Sequence, residues 1–458
     1  MIYRTLFFLL LVFLTGAGSF GQNQRSPVLE EYIREGISGN LELKQGQLGV
    51  SSSVEALRQA KALFYPKISF EPTYSVAFGG RRLAFPVGDM LNPAYAALNQ
   101  LTGSDRFPTD IPNVNELLAP HNFHDTKVSF RYAVYNPEIR YNYLIQHDLL
   151  SAEEAGVRVV SAEVRYAISE AYYRYLQALK VLEVVKTTRA TLSELVRLNT
   201  RLMENHVVTK DAVLSSEYEV SVLDQQQVEA EKDLRMAQSY FNFLLNRDLE
   251  SGIEDDTLIW QAPGAPGGDA PLDEMISRAL SGRPELQQLE YSSSAARQAV
   301  KLQEKSAALP SLFIGGNAGF QGFGYRFRDQ GYLVAQAGLQ WNLFNGNENK
   351  ARIAQSRIRA QMLETRQTEA GRRIALEVTQ ASYAHKAARE ALNAAGAAVE
   401  KAQAFYKVTD SRYRNQTVLM LEFVKAATDL QTARLRQAMA QYELLIRTAH
   451  LDRVTGAE

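Results

Sequence analysis

Hydrophobic and polar residues switch between two periods along this chain, and the switch occurs in the same order twice. Residues 26–65 carry the spacing of a helix. From Pro66 strict alternation takes over: Ile68, Phe70, Tyr74, Val76 and Phe78 fall on one face, Lys67, Ser69, Glu71, Thr73 and Ser75 on the other. Period two of this kind predicts a strand with two unlike faces, over about 66–79. A Gly-, Pro- and Asn-rich stretch at 79–125 predicts a long loop. A second strand is predicted at 126–135, with Val128, Phe130, Tyr132 and Val134 opposed to Lys127, Ser129, Arg131 and Ala133. Asn136-Pro137 ends it, Pro suiting a first helical turn. Helices follow at 137–203 and 209–246, separated by a short tip at 205–208.

The second half repeats the plan. A helix is predicted at 271–309, interrupted at Gly282-Arg283-Pro284. Strands follow at 310–321 and 331–344, then helices at 346–413 and 418–453 with a tip at 415–418. Pro310 stands where Pro66 stands, and Asn345-Gly346 where Asn136-Pro137 stands. The tips also align: Arg201, Val207, Asp211 and Val213 lie over Arg412, Val418, Glu422 and Val424 at one offset. A repeat this long is a duplicated domain rather than a solenoid. The expected organisation is a first repeat over 23–246, a linker over 247–270 rich in Gly, Ala and Pro, and a second repeat over 271–458.

A helix of roughly 67 residues is about 100 Å long and cannot bury itself in a globule. The 137–203 segment has an apolar stripe through Val157, Val160, Val164, Ile168, Ala171, Tyr175, Leu179, Leu182, Val185, Leu192, Leu195 and Leu202. The later one runs Ile374, Val378, Ala381, His385, Ala388, Leu392, Ala395, Val399, Ala402. Steps of four and three average 3.5, the coiled-coil period. The helices at 26–65 and 209–246, laid end to end, roughly match one long helix. The strands are long enough to cross an outer membrane. Four cannot close a barrel, and open edges are not tolerated in lipid. Closure therefore requires oligomerisation, and a trimer supplies twelve strands. Lys67, Glu71, Arg131 and Gln336 are then expected to face a watery lumen, with Trp341, Tyr74 and Phe78 at the lipid interfaces.

Composition sharpens this only in part. The chain has 458 residues, 46% hydrophobic, with 50 basic and 51 acidic side chains, a formal charge of −1. That balance argues against nucleic acid as a partner. The absence of cysteine removes disulfide scaffolds, thiolate metal sites and cysteine nucleophiles. Residues 1–22 read as a signal peptide: Arg4, an apolar run over 6–14, then Gly16, Ala17, Gly18 and Ser19. The chain is expected to be exported.

In this order of elements, in Leu343-Phe344-Asn345-Gly346 after the last strand and above all in the paired tips, the chain resembles the TolC family of outer membrane efflux proteins over about residues 27–450. The resemblance implies a mainly α fold with membrane β: a homotrimer whose 12-stranded outer-membrane barrel continues as an α-helical periplasmic barrel. It implies an exit duct of tripartite efflux pumps or type I secretion. The partners would be a periplasmic adaptor and an inner-membrane transporter of RND or ABC type, with outer membrane lipid around the barrel. It further implies that the tips close the periplasmic entrance. Glu422 and Asp211 fall on acids of the family's constriction, and Tyr413 on a tyrosine that bonds the acid at the Asp211 position. Arg201 and Arg412 open the two motifs. Lys425 replaces a second acid, and Asn205 and Gln416 replace tip glycines. Three copies of Glu422 would crowd charge near the pore axis and favour cations.

The reading from another class is a periplasmic coiled-coil adaptor or structural protein, but an adaptor carries one helical hairpin between lipoyl-like β segments and this chain predicts two tips. His121 and His124 lie in the loop without further ligands, so neither metal nor cofactor is expected. Gly319, Gly322 and Gly324 join two strands with no helix behind them, which is a turn and not a phosphate cradle. Glu254-Asp255-Asp256 reads as solvated linker. No GxSxG, HExxH or P-loop occurs, and an enzyme is not expected.

Overall fold

A computed structural model describes residues 26–256 and 270–456. The expected signal peptide at 1–22 and most of the linker lie outside the described residues. The elements run α1 (Pro27–Gly39), α2 (Leu41–Ala62), β1 (Lys67–Ser75), β2 (Arg82–Phe85), α3 (Val87–Thr102), β3 (Val114–Leu117), β4 (Phe123–Tyr135), α4 (Pro137–Glu204) and α5 (Lys210–Leu244). The second half gives α6 (Leu272–Gly282), α7 (Pro284–Ala308), β5 (Ser311–Phe323), β6 (Gly331–Gln340), α8 (Glu348–Arg414) and α9 (Met420–Thr455).

The duplication is visible in the lengths: α4 and α8 have 68 and 67 residues, α5 and α9 have 35 and 36. It also shows in a break that only one half announces. Arg283, between α6 and α7, has φ −69° and ψ 127°, an extended residue before Pro284. Asn40 breaks the expected single helix at 26–65 in the same way, with φ −67° and ψ 126°. Here no proline starts the next helix. The Asn40 side chain caps it instead, accepting from the Glu42 and Leu43 amides at 2.9 and 3.0 Å.

The chain divides into two compact units, and the boundary falls inside α2, α4, α7 and α8. The larger unit holds three apolar cores. One gathers Leu29, Ile33, Ile168, Tyr172, Leu176, Phe241 and Ile446 from α1, α4, α5 and α9. α1 meets the last turn of α5 here, with the Tyr32 and Phe241 rings 5.1 Å apart. A Cβ on Gly36 of α1 would lie 2.3 Å from Ile168 and 2.9 Å from Leu245, just past the end of α5. Glycine makes room for those two side chains. The Glu254-Asp255-Asp256 stretch is solvated only in part: Glu254 and Asp255 are exposed, but the Glu254 amide donates to the Tyr32 hydroxyl at 2.8 Å and its carbonyl accepts from Tyr172 at 3.0 Å. Asp256 is buried. A second core joins Met275 and Ala279 of α6 to Ile374, Val378, Ala381, Leu451 and Val454. Beside it the Arg283 side chain, 7% exposed, reaches Glu285 at 2.6 Å and Glu377 at 2.7 Å. The third core lies at the tips.

The smaller unit holds a four-stranded antiparallel sheet in the order β1-β4-β5-β6. The last strand ends at Gln340, so Trp341 to Phe344 lie beyond it, contrary to the expected 331–344. The stretch expected as a loop at 79–125 is a folded insert. β2 and β3 pair as a separate two-stranded sheet, and α3 lies between them. Asparagines tie the following chain to α3. Asn92 both donates to the Ile111 carbonyl and accepts from its amide, at 3.0 and 2.9 Å. Asn99 does the same for Phe107, at 2.8 and 3.1 Å. Among the described residues no helix is long and apolar enough to cross a membrane.

Candidate functional site: the paired tips and the two-faced sheet

The tips turn by one device used twice. At the end of α4 the His206 amide donates to the Met203 carbonyl at 2.9 Å and Val207 to Leu202 at 2.8 Å; after α8, Gln416 donates to Tyr413 and Thr417 to Arg412, each at 2.9 Å. These are Schellman caps, which require a left-handed residue. That residue is His206 (φ 58°) in the first tip and Gln416 (φ 60°) in the second. The structural offset between the tips is therefore 210, and the one-offset alignment is corrected by a residue. Asn205 is not the left-handed position. Ala212, not Asp211, is the equivalent of Glu422, and Asp211 is the equivalent of Leu421. Identity at Arg, Val and acid favours one offset, but the turn, which sets the register, fixes the other.

Below the turns, Leu192, Leu195, Leu223, Tyr413, Phe423, Val424 and Ala427 form the third core, so α4, α5, α8 and α9 are locked together at this end. The Tyr413 ring stacks on Phe423 at 5.2 Å. Its hydroxyl donates to Asn199 Oδ1 at 2.5 Å in a buried bond, not to Asp211 as the resemblance implied. Asp211 is exposed. The Asn199 amide nitrogen is shared among the Ala212 carbonyl at 3.3 Å, Ser216 Oγ at 3.4 Å and Met420 Sδ at 3.6 Å. Burial pushes the Tyr413 hydroxyl above its ordinary value, and the bond to Asn199 opposes this. Asn199 was passed over in the sequence. The available signal was a fully buried amide between Leu195 and Leu202, inside an apolar stripe where a polar residue fixes register.

Glu422 is exposed on the first turn of α9, and among the described residues it has no ion-pair partner in its own chain. Lys425, one turn on, is occupied by Asp429 at 2.8 Å. Arg201 and Arg412 leave their side chains exposed and use their carbonyls in the caps: Asn205 Nδ2 donates to Arg201 at 2.7 Å, and Thr417 Oγ1 to Arg412 at 3.0 Å.

The sheet register puts the expected apolar sets on one face. Ile68 pairs with Phe130, Phe130 with Gly316 and Gly316 with Ala335; Phe70 pairs with Val128, Val128 with Ala318 and Ala318 with Leu333. This face is bare in the chain: Ile68 is 70% exposed and Leu333 79%. The opposite face carries Lys67, Arg131 and Gln336 in one row, and Glu71 opposite Lys127 in another. All four expected lumen residues thus share a face. The expected interface aromatics lie toward the two ends of the sheet. Tyr74 is on the apolar face and donates to Asn122 Oδ1 at 2.7 Å. Phe78 lies past β1, 90% exposed, with its ring 5.7 Å from His121. Trp341 follows the other end of the sheet. Tyr325 and Phe327 cluster against buried His124, at 5.0 and 5.6 Å, with Phe320 5.2 Å from Phe327 and Tyr74 6.2 Å from Tyr325. His124 Nε2 contacts the Arg326 carbonyl and Gln330 Oε1, at 2.8 and 2.7 Å, so it serves to pin the β5–β6 turn.

Comparison with known proteins agrees with this architecture. Residues 275–457 match the family model for outer membrane efflux proteins. This chain carries the outer membrane efflux protein fold. The solved outer-membrane channel OprN superposes with a TM-score of 0.75 at 15% identity, covering 95% of this chain and 94% of that one. VceC from Vibrio cholerae gives 0.74 at 14% identity, covering 93% and 96%. The CmeC outer membrane channel of Campylobacter jejuni gives 0.74 at 14%, covering 96% and 90%. No curated protein matches the chain in sequence. The outer membrane efflux family is one of conduits rather than enzymes.

Proposed function

We propose that this chain is the outer-membrane exit duct of a multi-component efflux pump, a passive conduit whose tips gate the periplasmic entrance. The observation that carries this is the sheet: an exposed apolar face, a charged opposite face, and two free edges, β1 and β6. A sheet with lipid on one face and water on the other is stable in a bilayer only when its edges close on other copies. Three copies give the twelve strands of a barrel. The long helices α4 and α8, each about 100 Å, give the duct its reach into the periplasm. A periplasmic adaptor and an inner-membrane transporter of RND or ABC type would dock and drive it. The signature of the family in the second repeat supports efflux as the activity.

In this reading Glu422 is the gate acid. It is exposed at the tip, without an ion-pair partner in its chain, and its pseudo-equivalent Ala212 carries no charge. The gate would then have one carboxylate ring, of three. The purified protein in a planar bilayer tests both levels. It should migrate as a heat-modifiable trimer and conduct. Glu422→Ala should raise conductance and lower cation preference, and a variant with unchanged conductance and selectivity would remove Glu422 from the gate.

A further inference from the structure

The polar face of the sheet is unevenly charged. Around the level of Tyr332, two carboxylates, Asp125 and Glu71, face one cation, Lys127. Lys127 Nζ lies 2.7 Å from Asp125 Oδ2, Tyr332 donates to Asp125 Oδ1 at 2.9 Å, and Ser69 donates to Glu71 at 2.7 Å. Toward the end of the sheet where β1 begins, a row reads Lys67, Arg131, Gly315, Gln336 across the four strands, and the next reads Ser69, Ser129, Asn317, Val334. Neither row contains an acid. Lys67 and Arg131 are direct register partners, both exposed, and neither has an ion pair among the described residues. Like charges directly opposite destabilise a strand pair.

The arginine is nevertheless held in place. Its guanidinium stands 4.8 Å over the Phe313 ring, and that ring fills the space above Gly338, its register partner. A Cβ at 338 would lie 2.4 Å from it. Glycine, aromatic and cation form a stack across three strands. An unneutralised pair of cations, one of them fixed by a built support, on a face that looks into water, is a receptor for negative charge.

We propose that Lys67 and Arg131 form a binding ring for multivalent organic anions in the lumen, and that the duct favours cargo bearing several carboxylate, phosphate or sulfonate groups. This rests on the trimeric duct above, in which three copies place six cations at one level. Arginine offers an oxyanion two parallel donors, and lysine adds a mobile point charge. Low-dielectric walls strengthen the field of such a ring.

The test uses the full-length purified protein in detergent, titrated with pyranine, a fluorescent pyrene trisulfonate, and read by anisotropy. Mass is measured in parallel by light scattering. Saturable binding that weakens in high salt is expected. The double variant K67Q/R131Q should lose affinity at least about tenfold, about 1.4 kcal/mol, whereas K67R/R131K, which keeps both charges, should retain it. A trimer whose pyranine binding is the same in K67Q/R131Q as in the parent overturns the ring and leaves the duct standing. A monomer overturns both.

Discussion

A single buried amide decides how the tips are held. Asn199 accepts from Tyr413 on α8 and donates toward Ala212, Ser216 and Met420 on the two returning helices, so one side chain of α4 joins all four helices at their turn. Tyr413→Phe leaves Asn199 Oδ1 buried without its donor, which costs about 1–3 kcal/mol. The expected outcome is a lower melting temperature together with faster proteolytic cleavage at 204–210 and 414–420; an unchanged cleavage rate would show that the hub does not hold the tips. A second buried side chain sets a pH dependence. His450 lies 5.4 Å from the Tyr166 ring with Nδ1 buried and unpartnered. Burial, then Arg453 and Arg447, hold its pKa below 6.5, against weaker upward pulls from Glu170 and Glu377. A depressed histidine binds its proton less readily when folded than when unfolded. Stability is therefore complete above about 6.5 and is lost as pH falls through the unfolded value toward the folded one. Melting curves at neutral and mildly acidic pH should show a smaller acid loss for His450→Gln than for the parent, and equal losses would clear His450 of the effect. Neither residue was legible as a site. Asn199 was a polar gap in an apolar stripe, and His450 an ordinary helix position until its neighbours were known.

At the scale of elements, periodicity was informative wherever one face is consistently apolar. The α8 stripe is buried at Ile374, Val378, Ala381, His385 and Ala388 and half-buried at Leu392, Ala395, Val399 and Ala402, and the alternating sets of the four strands fall on one face of the sheet. What the pattern missed is a segment whose helical spacing, at Val87, Met90, Leu91, Tyr95 and Leu98, is disguised by Pro93 and by Gly-, Pro- and Asn-rich flanks. The insert between β1 and β4 has strands of four residues each and a helix with Pro93 inside it, and the chain after that helix is tied back to it by the Asn92 and Asn99 amides. The break at Asn40 was invisible for a related reason, since a capping asparagine is weaker punctuation than proline. The insert is self-contained, and its ends are adjacent, because Ser75 and Phe123 are register partners. Replacing 77–121 with a short hairpin turn should leave the four-stranded sheet intact, since shortening a connection lowers its closure entropy. We expect the shortened protein to keep its circular dichroism per residue and its heat-modifiable migration. If the insert covers the outer mouth of the duct, its removal should raise conductance. Loss of the trimer would instead make the insert part of the assembly.

At the scale of the molecule, everything turns on what lies beside β1 and β6. Both are edge strands of nine and ten residues, and the face they share is bare and apolar, a combination that invites pairing with another chain. The absence of cysteine makes this pairing directly measurable. Ser69 of β1 and Val334 of β6 lie in one row, separated by β4 and β5. Three inter-strand steps of about 4.8 Å place them about 14 Å apart, far beyond the roughly 4.4–6.8 Å between Cα atoms that a disulfide spans. A bond between cysteines at these edges therefore has to join two molecules. Ser69→Cys combined in turn with Tyr332→Cys, Val334→Cys and Gln336→Cys samples the registers that the polar face allows. Oxidation of at least one combination should give a non-reducing ladder ending at a closed trimer, resistant to further growth because a ring has no edge left to offer. A ladder that continues past three would indicate an open, heterologous assembly, and no ladder in any combination would mean that β1 and β6 do not meet, which would remove the barrel and with it the duct.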